Sequence, residues 1–315
     1  ATGQTSIKIF MNFGSFDPNA SAFLQMIAAA GDAGVLTMIH AEDASILANQ
    51  AAELEAQGRT SVAYQPEARP ALAEEVAMMR AVAMAEQTGS PVYAVHVSSE
   101  RALRVAQAAR ARGLPFFIET RPIYLHLTRE RFDGPDAGLY VGQPPLREQS
   151  DQDALWEALA NGTIDVVGTD HVAYSREDKL DPSQTITNHR AGMNHLQMLR
   201  PLLFTDGVLA GRISVERFVE VTATNPAKLF GIFPEKGTLA VGSDADLVLW
   251  DPEETRTVRD QDMFSATGFS IYAGWEVTGW PVVTLRRGEV VFEGGEITGQ
   301  AGTGRLLERS RWEER

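Results

Sequence analysis

A parallel α/β fold is expected from this chain of 315 residues. Over roughly the first 170 residues, short β-branched runs alternate with alanine-rich helical stretches, the pattern of βα units rather than hairpins. Polar residues interrupt these runs where the strands end or would be buried: Lys8 in SIKIFM, His40 closing VLTMIH, His96 in VYAVHV and Asp170 closing IDVVGTD. A parallel barrel or sheet gathers the carboxyl ends of its strands, where α/β enzymes place their chemistry.

The elements follow in order. SIKIFMNF reads as a strand, and Asp17-Pro18 opens a helix that closes near Gly31 or Gly34. VLTMIH is the next strand, followed by a helix over about residues 45–57 that stops at Gly58. A longer helix over about 71–87 is punctuated by Gly89 and Pro91 before VYAVHV. Ser99 starts the helix ERALRVAQAARARG, PFFIET is a strand, and DALWEALANG leads into IDVVGTDH. Five strands are thus visible, whereas a closed eight-stranded barrel needs three more. Residues 174–192 lack periodicity and read as a long loop, which at that length is usually functional. Helical patterns return in MNHLQMLRPLLF and SVERFVEVTATNPAKLFG. Beyond Gly237 the runs ADLVLWDP and VVTLRRGEVVFEGGEIT are short strands, with Gly294-Gly295 as a turn. The expected division is a barrel portion over 1–236 and a C-terminal β segment and tail over 237–315.

Composition narrows the function. A net charge of −14 with no basic block argues against nucleic acid or an anionic membrane as partner. With no cysteine, disulfides, thiolate metal sites and cysteine nucleophiles are excluded, so any metal must be held by nitrogen and oxygen. The N-terminal residues lack a signal-peptide pattern, and a cytoplasmic protein is expected.

Each candidate has a bland reading. Lys8 is either a lysine snorkelling at a strand edge or an N-carboxylated lysine, whose carbamate would bridge two metals. Either histidine alone is more simply a core histidine; the two together with Asp170 and Lys8 are hard to explain by packing. Asp170 as a helix N-cap is disfavoured because residues 172–179 lack a helical pattern.

Lys8 in SIKIFM, His40 in IHAED, His96 in VHVSS, GQPPLRE, Asp170 in IDVVGTDH, and the long runs TATNPAKLFGIFPEKGTLAVGSDADLVLWDP and YAGWEVTGWPVVTLRRGEVVFEGGEITG resemble the cyclic amidohydrolases, in the hydantoinase and dihydropyrimidinase branch. The resemblance spans nearly the whole chain. It implies a TIM barrel with a small β-sandwich portion and a centre of two divalent metals, zinc first among the candidates. Carboxylated Lys8 would bridge the metals and His40 and His96 would hold one. Asp170 would ligate the other and act as general base while a metal-bound hydroxide opens the ring of a cyclic amide. Asn188 in TITNHRAG matches the position whose backbone holds the substrate, and a homo-oligomer, in the family often a tetramer, is implied.

Five departures stand out. Phe13 takes the place of the tyrosine that polarises the scissile carbonyl, with Asn12 or Tyr124 as candidate replacements. Gln143 replaces a serine before PPLR, Arg121 and Ile123 alter the usual strand motif, and residues 172–174 differ after Asp-His. The family's His-x-His pair is absent: the six histidines are His40, His96, His126, His171, His189 and His195. The chain is therefore expected to start at the family's fourth strand, to form a partial barrel and to retain ligands for about one full metal site. The alternatives are a non-catalytic scaffold related to dihydropyrimidinases and a dihydroorotase- or allantoinase-type enzyme with another ring substrate.

Overall fold

The computed structural model describes residues 3–312. Five parallel strands, β1 (Ser6–Phe10), β2 (Leu36–His40), β3 (Val92–Ala94), β4 (Phe116–Thr120) and β5 (Val166–Val167), pair in sequence order. Their register sorts the side chains. Ile9, Ile39, Ala94 and Ile118 form one row across the sheet, and all four enter the main hydrophobic core with the flanking helices. The opposite face presents Lys8, Met38, Tyr93 and Phe117 in one row and Phe10 and His40 in the next. One face of the sheet therefore buries apolar surface against helices, and the other carries the polar candidates.

The connecting helices lie close to the expected positions. Ala44–Ala56 is capped by Asp43, whose carboxylate accepts the N–H groups of Ser45 and Ile46. Ala71–Thr88 ends on Gly89 in the left-handed region, and Glu100–Ala111 is capped by Ser99. A short 3₁₀ turn, Asp17–Asn19, precedes the helix Ala20–Asp32, so the chain enters that helix later than the Asp-Pro signal suggested. The segment 174–192 is a loop apart from one turn of helix, Arg176–Lys179. On the sheet face that carries the polar candidates, Leu36, Tyr93, Val95 and Val166 pack with Met38, Phe117, Leu229 and Phe230 in a smaller apolar cluster.

The C-terminal strands β6 (Leu247–Thr257), β7 (Glu276–Arg286), β8 (Glu289–Glu293) and β9 (Glu296–Ile297) form a separate antiparallel sheet in that order. Between β6 and β7 the chain returns to the barrel portion, where Val258, Phe269, Ile271 and Tyr272 join its main core. The tail passes back beneath the first strands, with Trp312 N–H bonding the Gly34 carbonyl at 2.8 Å. Among the described residues no helix is long and apolar enough to cross a membrane.

Candidate metal centre

At the carboxyl end of β2, His40 is 3% exposed and His96, just beyond β3, is 2% exposed. Their rings face each other edge to face, with Nδ1 of His40 2.9 Å from Nε2 of His96. The Glu42 carboxylate, 2.7 Å from His40 Nε2, fixes the tautomer by accepting the Nε2–H. Nδ1 of His40 is left to face its neighbour. Burial opposes the negative charge on Glu42, but Arg69 and His40 override it and hold that carboxyl at about 2. His96 is pushed well below the usual imidazole range, first by burial and then by the charges of His40, Arg121 and Lys8.

The backbone is strained where these groups stand. His96 has φ 44° and Asp170 φ 49°, left-handed values unusual for residues other than glycine. Glu119 supports the first of them. Its half-buried carboxylate accepts the His96 N–H at 3.0 Å and the Tyr93 hydroxyl at 2.7 Å on the sheet's polar face. Gly168 is glycine for a related reason, since a side chain there would collide with Glu119.

A second buried network fixes the loop after His96. Glu74 accepts both the N–H and the hydroxyl of Ser98, at 2.8 and 2.7 Å, and pairs with Arg147 at 3.2 Å. Arg147 also reaches the Ser98 hydroxyl and the backbone carbonyl of Arg69. Since Arg69 in turn grips Glu42, one chain of polar contacts runs from His40 to the His96 loop.

Asp170 stands apart from this pair. Its side chain is 42% exposed and its carboxylate lies 3.5 Å from the guanidinium of Arg121, which is 1% exposed. Arg121 donates to the Thr169 carbonyl at 2.9 Å, and its remaining partners are longer: Tyr124 Oη and the Asp170 carbonyl at 3.5 Å, and His195 Nε2 at 3.4 Å. Lys8 is exposed on the polar face with its ammonium 4.9 Å from the centre of the Phe10 ring. Among the described residues no three His, Cys, Asp or Glu side chains converge as a ready ligand group.

The remaining candidates line one side. Asn12 Nδ2 lies 3.5 Å from Gln143 Oε1, and Gln143 Nε2 lies 3.0 Å from His189 Nε2. Phe13 is 56% exposed beside Phe10, and Asn188 is exposed on the loop 174–192. Tyr124 is buried with its hydroxyl donated to the Pro144 carbonyl at 2.7 Å. Its donor is therefore spent on the wall beneath Gln143.

This arrangement fits comparison with known proteins. The model of the amidohydrolase family matches residues 7–291. The chain belongs to the amidohydrolase family. It is 37% identical to a D-hydantoinase of Ralstonia pickettii over 319 residues, covering 99% of this chain and 69% of that protein. A D-phenylhydantoinase of Escherichia coli is likewise 37% identical, over 98% of this chain and 67% of its own length. Among solved structures, a D-hydantoinase (dihydropyrimidinase) from Thermus sp. superposes with a TM-score of 0.95 at 36% identity, covering 98% of this chain and 68% of that one. The chain thus spans about two thirds of the length of each of these relatives. As in an amidohydrolase, the five parallel strands are those of a TIM-barrel-like fold, with the antiparallel sheet as a separate layer.

The facing imidazoles pass a test of fit for a metal ion. Two nitrogens bound to one Zn²⁺ at about 2.0–2.1 Å lie roughly 3.3 Å apart in tetrahedral geometry, close to the observed separation. Sequence reasoning found both histidines but missed Glu42, Arg69, Glu74, Glu119 and Arg147. Glu42 was signalled by its place two residues after His40 in IHAED, and Arg147 by GQPPLRE. Replacing Glu42 with glutamine removes the anion that orients His40, and divalent-metal affinity is expected to fall by about tenfold or more. Metal titration of Glu42→Gln checks this; unchanged affinity would show that His40 needs no such support.

Proposed function

We propose that the protein hydrolyses a small cyclic amide of the hydantoin or dihydropyrimidine class at a divalent-metal centre. The observation that carries this reading is the pair of buried imidazoles converging at the carboxyl ends of adjacent parallel strands, in a chain of the amidohydrolase family. His40 and His96 hold the metal, for which zinc suits the nitrogen and oxygen donors. Lys8, which lies on the same face and lacks a carboxylate partner among the described residues, would serve as the carbamate ligand. When bound, the metal supplies Lewis acidity toward the ring carbonyl and lowers the pKa of water.

The chain's own groups do the rest. Asp170 accepts a proton from the attacking water and delivers it to the ring nitrogen as the amide C–N bond breaks. The hydroxyl of water ends on the carbonyl carbon, so the products are a carboxylate and a free ureido or amide nitrogen. Phe13 cannot donate to the carbonyl oxygen, and the amide of Asn12, 3.5 Å from Gln143 Oε1, is the donor proposed for it. Gln143 and the backbone at Asn188 face the polar edge of the ring, and Phe13 contributes an apolar surface. The protein is proposed to work in the cytoplasm as a homo-oligomer.

The test is turnover of hydantoin, dihydrouracil, dihydroorotate and allantoin, each before and after chelation. Ring opening of one of the first two, lost on chelation, is expected. Preference for dihydroorotate or allantoin would reassign the substrate, and hydrolysis of none would overturn the reading.

A further inference from the structure

Lys179 is 2% exposed, at the end of the helical turn within the loop 174–192. A buried ammonium without a carboxylate is costly unless its donors are met. Here all three are met by backbone oxygens: Val141 at 2.8 Å, Arg190 at 2.7 Å and Gly192 at 2.8 Å. These acceptors belong to two segments far apart in sequence. Val141 lies two residues before Gln143, whereas Arg190 and Gly192 follow directly on Asn188 and His189.

We propose that Lys179 is a positioning residue for substrate: its ammonium clasps the loop bearing Asn188 and His189 to the wall bearing Gln143. The surroundings are built around this clasp. The Gly192 N–H bonds the Val141 carbonyl at 3.0 Å, which joins the same two segments a second time. Gln184 donates to the carbonyls of Asp178 and Lys179 and accepts the Arg190 N–H, so the turn carrying Lys179 is itself tied to the loop's far end. Gly138 leaves no room for a side chain against the Lys179 carbonyl, and Gly192, at φ 128°, packs against Val172. The effect on KM rests on the ring-binding role given above to Gln143 and Asn188; the clasp itself does not.

The experiment compares the full chain with Lys179→Met and Lys179→Arg by amide hydrogen exchange and by steady-state kinetics on hydantoin. Met keeps the length and apolar stem but leaves three carbonyls without donors. In Lys179→Met, exchange across residues 182–192 is expected to quicken by about tenfold or more, while the helix Ala71–Thr88 keeps its protection. KM is expected to rise by about tenfold with a smaller change in kcat, and Lys179→Arg to recover part of both. If Lys179→Met does not fold, the arginine variant carries the test, with exchange intermediate between wild type and an open loop. Wild-type protection of 182–192 in Lys179→Met would overturn the clasp. A fall in kcat at constant KM would overturn its role in positioning substrate. Absence of turnover in the wild-type protein would instead count against the proposed function, and the exchange result would still decide the clasp.

Discussion

Alanine at His96 is expected to abolish tight metal binding and, with it, ring opening. Apparent binding energies of full four-ligand zinc sites are about 10–16 kcal/mol, so one donor carries on the order of 3 kcal/mol, or a hundredfold and more in affinity. The structure gives reason to expect a folded variant. His96 is buried with its Nδ1 unpartnered, so the truncation also removes a polar atom left without a hydrogen bond. The supporting bond from the His96 N–H to Glu119 belongs to the backbone and survives. Metal titration together with a thermal melt separates the outcomes. Wild-type affinity in the folded variant would remove His96 from the centre.

Replacing Arg121 with glutamine should act in the opposite direction. Its guanidinium is a fixed positive charge at the site, 3.5 Å from the Asp170 carboxylate, and it helps depress His96. A divalent cation must enter against that charge and compete with it for Asp170. At an effective dielectric of about 20, unit charges 4 Å apart interact by roughly 4 kcal/mol, so even after the loss of Arg121's own bonds a gain of about 1–3 kcal/mol is reasonable. That corresponds to roughly five- to a hundredfold tighter metal binding. One good hydrogen bond, to the Thr169 carbonyl at 2.9 Å, is lost, whereas the contacts to Tyr124 and His195 are long and weak. Titration with Zn²⁺ or Mn²⁺ in Arg121→Gln reads the effect, with Arg121→Lys as the charge-preserving control. Weaker binding in the glutamine variant would mean that Arg121 builds the site rather than opposing its occupant.

What could be read from sequence was set by periodicity. Strands that pack helices on one face and carry function on the other leave polar residues inside apolar runs, and Lys8 and His40 stood out for that reason. His96 was legible as an intrusion, although the strand ends before it and its backbone turns left-handed, which no local pattern announces. The partners of these residues were harder to see. Glu42, Arg69, Glu74 and Arg147 act through contacts spanning up to 78 residues, and local periodicity does not announce such long-range burial of a charged residue. Lys179 is the extreme case. It lies in the aperiodic segment 174–192 and reads as a surface residue, yet burial and like charge from Arg121 bring its pKa down to about 7. Tyr124 shows the converse: its chemistry suggested a donor toward substrate, and packing commits that donor to Pro144.

The central claim is that His40 and His96 hold the metal on which cyclic-amide hydrolysis depends. The direct measurement is metal content and hydantoin ring opening on the same sample, as purified, after exhaustive chelation, and after reloading with Zn²⁺. Loss of turnover in step with bound metal, recovery on reloading, and no recovery in His40→Ala are the expected results. Ring opening that persists in metal-free protein, or full recovery in His40→Ala, would contradict the account.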